Sequence, residues 1–126
     1  MSRFRSLPGR VIRQCIRWIG LLPRGRAILE PAAQITRERT VQVDHDGVGL
    51  TFSTPGGYTT FRASTFSSKE PETLEWIDGM GEGSILWDIG ANVGLYSCYA
   101  AIRGCNVVAV EPSVFNLEIL ARNVHL

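Results

Sequence analysis

Hydrophobic and polar positions from residue 10 to residue 22 repeat with the period of an α-helix. At about 100° per residue, four polar side chains share one narrow arc, namely Arg10, Arg13, Gln14 and Arg17. The opposite side is apolar and consists of Val11, Ile12, Cys15, Ile16, Trp18, Ile19 and Leu22. Pro8 and Pro23 bracket the segment, as start and stop signals do. The pattern predicts a basic amphipathic helix over residues 10–22.

From residue 40 the pattern changes to short segments typical of β-strands. Val41–Val43 and Val48–Ser53 flank Asp44–Gly47, which ends in the Asp-Gly pair that hairpin turns favour. After a Pro-Gly-Gly sequence, Tyr58–Ala63 is rich in β-branched and aromatic residues and predicts a third strand. These strands are expected to form a small antiparallel element.

A short helix is predicted over Pro71–Asp78, before the next strand. Proline suits the first turn of a helix, and Ser67 or Ser68 is expected to cap it within a capping-box sequence. Gly79 is expected to end the helix.

The last third of the chain alternates apolar strands with helical segments. Ile85–Ile89 and Val107–Val110 are short and apolar, which predicts buried strands of a parallel sheet. Leu95–Arg103 and Asn116–Val124 have the spacing of packed helices. A strand, a Gly-rich turn, a helix and a second strand in this order predict an α/β fold, the opening half of a Rossmann-like nucleotide site.

The net charge of +1 conceals two oppositely charged parts of the chain. Residues 1–26 contain seven arginines and no acid, whereas the remaining 100 residues carry a net charge of −6. We therefore divide the chain into a basic amphipathic segment (1–26), a short β-hairpin region (27–67) and an α/β part (68–126).

Composition excludes several classes of protein. No apolar run approaches the roughly 18 residues of a membrane span, and Arg13 and Arg17 interrupt the core that a secretory signal would need. The three cysteines lack ligand spacing, which argues against a disulfide framework or a zinc site. His45 is interpreted as a solvated turn residue, so no metal site is predicted. A reducing, cytoplasmic location is expected.

Several roles remain open for the predicted helix over residues 10–22. It could pack on its own domain, lie on the surface of a membrane such as the inner membrane, or act as an organelle transit peptide. Nucleic-acid binding is not expected, because no reading motif or interleaved aromatic residue accompanies the arginines.

The chemistry-bearing residues lie in the turn after the first parallel strand and at the end of the second. Glu111 follows Gly90 by 21 residues, where a strand-end carboxylate can accept hydrogen bonds from ribose hydroxyls. A dinucleotide fingerprint needs glycine also at the third and sixth turn positions, but these are Asn92 and Leu95. Asp88 would repel a pyrophosphate and would suit a cationic ligand. These features favour S-adenosylmethionine, with its ammonium and sulfonium groups.

The segments Asp88–Gly94 and Val110–Pro112 resemble the FkbM family of S-adenosylmethionine-dependent methyltransferases. Glu70–Ile77 and Asn116–Asn123 are also similar to that family, so the resemblance covers about residues 65–126. It implies a class I methyltransferase fold with a seven-stranded Rossmann-like sheet. The implied reaction is methyl transfer, usually to a hydroxyl oxygen of a sugar, a glycolipid or a secondary metabolite.

By matching position, the resemblance implies a cofactor-binding role for five residues. Asp88, Gly90, Asn92 and Gly94 would form the wall on the methionine side, and Glu111 would hold the ribose. No residue stands out as a general base, so the catalytic residues are left unassigned. With two of the parallel strands present, we expect an N-terminal fragment that is inactive alone.

Two other functions remain open as alternatives to the methyltransferase. One is a fragment of an oxidoreductase that binds a nicotinamide nucleotide. The other is a non-catalytic Rossmann-like module that docks through the basic helix.

Overall fold

The computed structural model describes residues 9–126 as a mixed α/β protein. Arg3, Arg5 and Pro8 of the predicted basic segment lie outside the described residues. Contacts divide the chain into two units, one ending at Thr36 and the other comprising Arg37–Leu126.

The described residues form seven helices and two two-stranded sheets. In chain order they are α1 (Gly9–Leu21), α2 (Gly25–Arg37), β1 (Thr40–His45), β2 (Val48–Ser53), α3 (Gly57–Ser64), α4 (Phe66–Lys69), α5 (Pro71–Asp78), β3 (Ile85–Ile89), α6 (Leu95–Ile102), β4 (Asn106–Val110) and α7 (Val114–Asn123).

The first unit contains two amphipathic helices joined by a tight turn. Helix α1 confirms the predicted helix, whereas α2 was not predicted. Gly25 is buried at the turn, where its N–H donates to the Leu22 carbonyl at 2.9 Å. A β-carbon at Gly25 would overlap the Ile19 carbonyl oxygen, so only glycine fits this position. Among residues 9–126, no helix is both long and apolar enough to cross a membrane.

The predicted hairpin is present in the second unit. Strands β1 and β2 pair antiparallel, with Thr40 opposite Ser53 and His45 opposite Val48. The turn residues Asp46 and Gly47 have φ values of 49° and 77°. Two successive positive φ angles are those of a type I′ turn, which matches the twist of the strands and explains the Asp-Gly pair.

The predicted third strand over Tyr58–Ala63 is wrong, because this segment forms helix α3. Thr59 and Ala63, one helical turn apart, are both buried, so burial follows the helical period. The N-terminus is stabilised locally, since the Gly56 N–H donates to the Thr59 hydroxyl at 3.1 Å. Tertiary packing therefore overrides the β propensity of these residues.

Helix α5 has the predicted bounds, with Pro71 in its first turn and Gly79 at its C-cap. The predicted serine cap is wrong, because the N-cap residue is Glu70 and no side chain caps the helix. Ser67 instead donates from its hydroxyl to the Asp44 carbonyl at 3.0 Å. The serine thus ties helix α4 to the hairpin.

Strands β3 and β4 pair in parallel, as predicted, with Asp88 opposite Ala109 and Ile89 opposite Val110. The expectation that both strands are buried is wrong for the described residues, because one sheet face is open. Ile85, Trp87 and Ile89 are 65, 66 and 68% exposed. Helix α6 packs on the opposite face, where Leu86 is 4% exposed.

The hairpin and the parallel strands share one hydrophobic core within Arg37–Leu126. Phe66 lies at its centre and makes ring contacts with Phe52, Tyr96 and Tyr99, whose centroids are each 5.7 Å away. This core sets helix α3, at the end of the hairpin, beside the loop between β3 and α6.

Candidate cofactor site

The loop Gly90–Gly94 leaves the carboxyl end of β3 and leads into helix α6. Gly90, Asn92 and Gly94 have φ values of 86°, 53° and 79°, a run of left-handed conformations that glycine and asparagine tolerate best. The Gly90 and Ala91 N–H groups donate to the Val110 carbonyl at 2.8 and 3.1 Å. The loop is therefore fastened to the end of β4.

The two outer glycines of this loop serve different purposes. Gly94 is buried, and a β-carbon there would lie 2.8 Å from Leu120 Cγ, so helix α7 requires a bare backbone at this position. Gly90 is exposed, and a β-carbon there would meet no atom within 4 Å. The absence of a side chain at Gly90 leaves room beside the loop.

Glu111, directly after β4, binds the loop with its carboxylate. Its Oε2 accepts from the Asn92 N–H at 2.8 Å, and its Oε1 accepts from the Ser113 N–H at 2.8 Å and from Asn116 Nδ2 at 3.3 Å. The bonds from the Ser113 and Asn92 amides and from Asn116 hold the pKa of Glu111 below its ordinary value. A carboxylate has about four acceptor positions, so one remains for a ligand.

Asp88 is half-buried in β3, two residues before Gly90. Its Oδ2 accepts a 2.5 Å hydrogen bond from the Ser97 hydroxyl of helix α6. Burial, with the Asp88 charge adding to it, raises the pKa of the neighbouring Cys98 thiol to about 11. The Ser97 hydroxyl thus orients the Asp88 carboxylate toward the beginning of α6. The Cys98 thiol beside it stays neutral at pH 7.

Helix α3 contributes two residues that the sequence did not indicate, because their segment was interpreted as a strand. Tyr58 accepts a 3.2 Å hydrogen bond at its hydroxyl from Asn92 Nδ2, and this bond lowers the pKa of Tyr58, with the Arg62 charge adding to the effect. The Arg62 guanidinium carbon lies 6.0 Å from the centre of the Tyr58 ring. If the segment had been interpreted as a helix, the i, i+4 spacing of Tyr58 and Arg62 would have placed both on one face.

Arg62 has an unmet hydrogen bond. Within residues 9–126 its buried Nε has no acceptor, and no ion pair there includes Arg62. A buried donor without a partner costs free energy, and because this atom is closed to solvent, a ligand would contact the terminal nitrogens of the guanidinium instead. The guanidinium fork is suited to a carboxylate or a phosphate.

Asn123 holds the Gly90–Gly94 loop by side-chain hydrogen bonds. The sequence did not predict this role, since an asparagine in a helix does not by itself indicate its partner. Its Oδ1 accepts from the Ser53 N–H at 2.7 Å, and its Nδ2 donates to the Val93 carbonyl at 2.6 Å. Asn123 is 5% exposed. One amide therefore joins β2, α7 and the loop.

His45 is not the solvated turn residue that was expected. It is half-buried, its ring lies edge-on to Tyr99 with 5.5 Å between ring centres, and its Nε2 is 3.9 Å from Asp78 Oδ2. Asp46 lies near this pair, so that possible ligand atoms of the three residues fall within 4.8 Å. However, Asp78 Oδ1 already binds Arg103 Nε at 2.9 Å and the Tyr99 hydroxyl at 2.6 Å. The cluster joins the hairpin to α5 and α6.

The structure thus brings Gly90, Asn92, Gly94 and Glu111 together around one loop, with Asp88 at the strand end before it. A separate groove of about 480 Å³ lies between β2, β4, α6 and α7 and contains none of these five residues in its lining. Its lining is mainly apolar. Comparisons of the chain with models of protein families and with curated proteins give no match.

Proposed function

We propose that residues 68–126 are the cofactor-binding half of a methyltransferase that uses S-adenosylmethionine, with a Rossmann-like fold. One observation carries the proposal: the carboxylate of Glu111, at the end of β4, binds the backbone of the Gly-rich loop at the end of β3. A parallel strand pair with a strand-end acid and a Gly-rich turn is the arrangement that places a nucleoside at the carboxyl edge of a sheet.

The side chains at this edge match the charges of the proposed cofactor. Asp88 offers a carboxylate to the ammonium group, and Arg62 offers the end of its half-buried guanidinium to the carboxylate of the methionine part. Glu111 keeps one acceptor position for a ribose hydroxyl. The open space at Gly90 lets a ligand approach the backbone closely.

When bound, S-adenosylmethionine supplies a methyl group on a sulfonium, and the protein contributes orientation. The loop and its three charged neighbours would hold the cofactor in one pose, which an in-line displacement requires. The proposed acceptor is a hydroxyl of a sugar, a glycolipid or a secondary metabolite, as the resemblance implies. No residue is assigned as a general base, and the proposed location is the cytoplasm.

Titration of the isotope-labelled chain with S-adenosylhomocysteine, followed by NMR, tests the proposal at the level of binding. We expect saturable shifts of the Asn92 and Gly94 amide signals, and no saturation with Glu111→Ala. Exposed Glu75→Ala serves as the control and should bind like the wild type. Saturation by a nicotinamide dinucleotide alone would favour the oxidoreductase, and no binding of either ligand would favour a non-catalytic module.

A further inference from the structure

Helix α1 presents its apolar side to solvent instead of to a core. Val11, Ile12 and Ile16 are 43, 47 and 47% exposed, and Trp18 is 64% exposed. None of the residues of α1 is buried. Nothing in the part of the chain that the structure describes covers this apolar stripe.

Helix α2 continues this pattern after the turn at Gly25. Ile28 and Ile35 are 65 and 67% exposed, and their i, i+7 spacing puts them on one face of the helix. The close approach at Gly25 fixes the connection between the two helices. We refer to Gly9–Arg37 as the basic helix pair. Each of its two helices exposes an apolar stripe.

The polar surface of the basic helix pair is positively charged. Arg10, Arg13 and Arg17 occupy the arc of α1 opposite the apolar stripe, Arg24 lies in the turn, and Arg26 lies in α2. The first acidic residue of the chain is Glu30. The surface therefore combines diffuse positive charge with large apolar side chains along its length.

We infer that the basic helix pair binds the surface of a bilayer that contains anionic lipids. The apolar stripes enter the boundary between head groups and acyl chains, and the arginines extend to the lipid phosphates. Trp18 suits this boundary because its ring is apolar and its N–H can bind water or a head group. The phosphates of an anionic bilayer surface can pair with all of these arginines together. A protein partner would instead need an acidic residue placed opposite each arginine.

The first experiment is flotation of the full chain with vesicles of phosphatidylcholine, with or without phosphatidylglycerol. We expect binding only to the anionic vesicles and its loss at high salt, because exposed charges are screened. Arg13→Gln with Arg17→Gln should weaken binding about 30-fold, from about 1 kcal/mol for each arginine. Arg39→Gln with Lys69→Gln removes the same charge from the other unit and should leave binding unchanged.

The second experiment separates insertion from simple charge attraction. In a chain with Trp76→Phe and Trp87→Phe, Trp18 is the remaining tryptophan, and its emission should shift to the blue on anionic vesicles. Ile12→Ser with Ile16→Ser should abolish this shift, with circular dichroism used to check that the helices form. Equal binding to neutral and anionic vesicles, or no blue shift, would overturn the inference. Failure to bind any vesicle would also overturn it, in favour of an acidic protein partner.

Discussion

The backbone N–H of Asn92 donates a 2.8 Å hydrogen bond to the carboxylate of Glu111. This bond joins the loop after β3 to the first residue after β4, across 19 positions of the chain. Asn92 has a left-handed backbone conformation, and the charge-assisted bond compensates for the strain of that conformation. The residue predicted to hold a ribose therefore also shapes the loop on which the cofactor would lie.

The bond between Asn92 and Glu111 should depend on pH. Because the folded-state pKa of Glu111 lies below its ordinary value of 4.5, the carboxylate stabilises the loop above that value. The stabilisation is lost as the pH falls through the lower, folded-state pKa. The Asn92 amide signal should move with acidification of the wild type. In Glu111→Gln that movement should be absent, and an identical movement would show that another group titrates.

Alanine at the two outer loop glycines should have unequal effects on stability. Gly90→Ala introduces only backbone strain, about 1 kcal/mol. Gly94→Ala adds a clash with Leu120, for a total of about 2–5 kcal/mol. Urea unfolding of both variants measures the difference. Gly90→Ala should instead weaken binding of S-adenosylhomocysteine, because its methyl group enters the open space beside the loop. Equal losses of stability would contradict this assignment.

Replacement of Asn123 by leucine should be strongly destabilising. The variant leaves the buried Ser53 N–H and Val93 carbonyl without their partner, at about 1–3 kcal/mol for each group. Asn106→Leu removes a single exposed hydrogen bond to the Gly83 carbonyl and should cost well below this amount. Chemical unfolding of both variants tests the contrast, and a loss below about 1 kcal/mol for Asn123→Leu would contradict it.

If Arg62 binds the carboxylate of the cofactor, its replacement should affect only ligands that carry that group. Arg62→Gln should weaken binding of S-adenosylhomocysteine about 10- to 100-fold, the equivalent of a charge-assisted hydrogen bond of about 1.5–3 kcal/mol. Binding of methylthioadenosine, which lacks the amino acid part, should be unchanged. Lys69→Gln is the control for net charge. An equal loss with both ligands would indicate a structural role for Arg62, whereas no loss with either would remove Arg62 from the site.

Local patterns in the sequence predicted much of the second unit. The Asp-Gly turn, the bounds of α5 and the two parallel strands depend on neighbouring residues, and the structure confirms them. Helix α3 was missed because Tyr58–Ala63 favours strand by composition, while contacts with the core select a helix. The residues of α3 beside the site, Tyr58 and Arg62, were missed with it.

The sequence by itself determined the two-part charge distribution, the hairpin turn and the order of strand, Gly-rich loop, helix and strand. These features follow from residue spacing and backbone preferences, which act over a few residues. Only the tertiary structure decided that Glu111 binds the Asn92 amide, that Arg62 lies beside Tyr58, and that Asn123 holds the loop from behind. Such contacts depend on how the elements pack, because a buried polar group finds its hydrogen-bond partner on a segment that is distant along the chain.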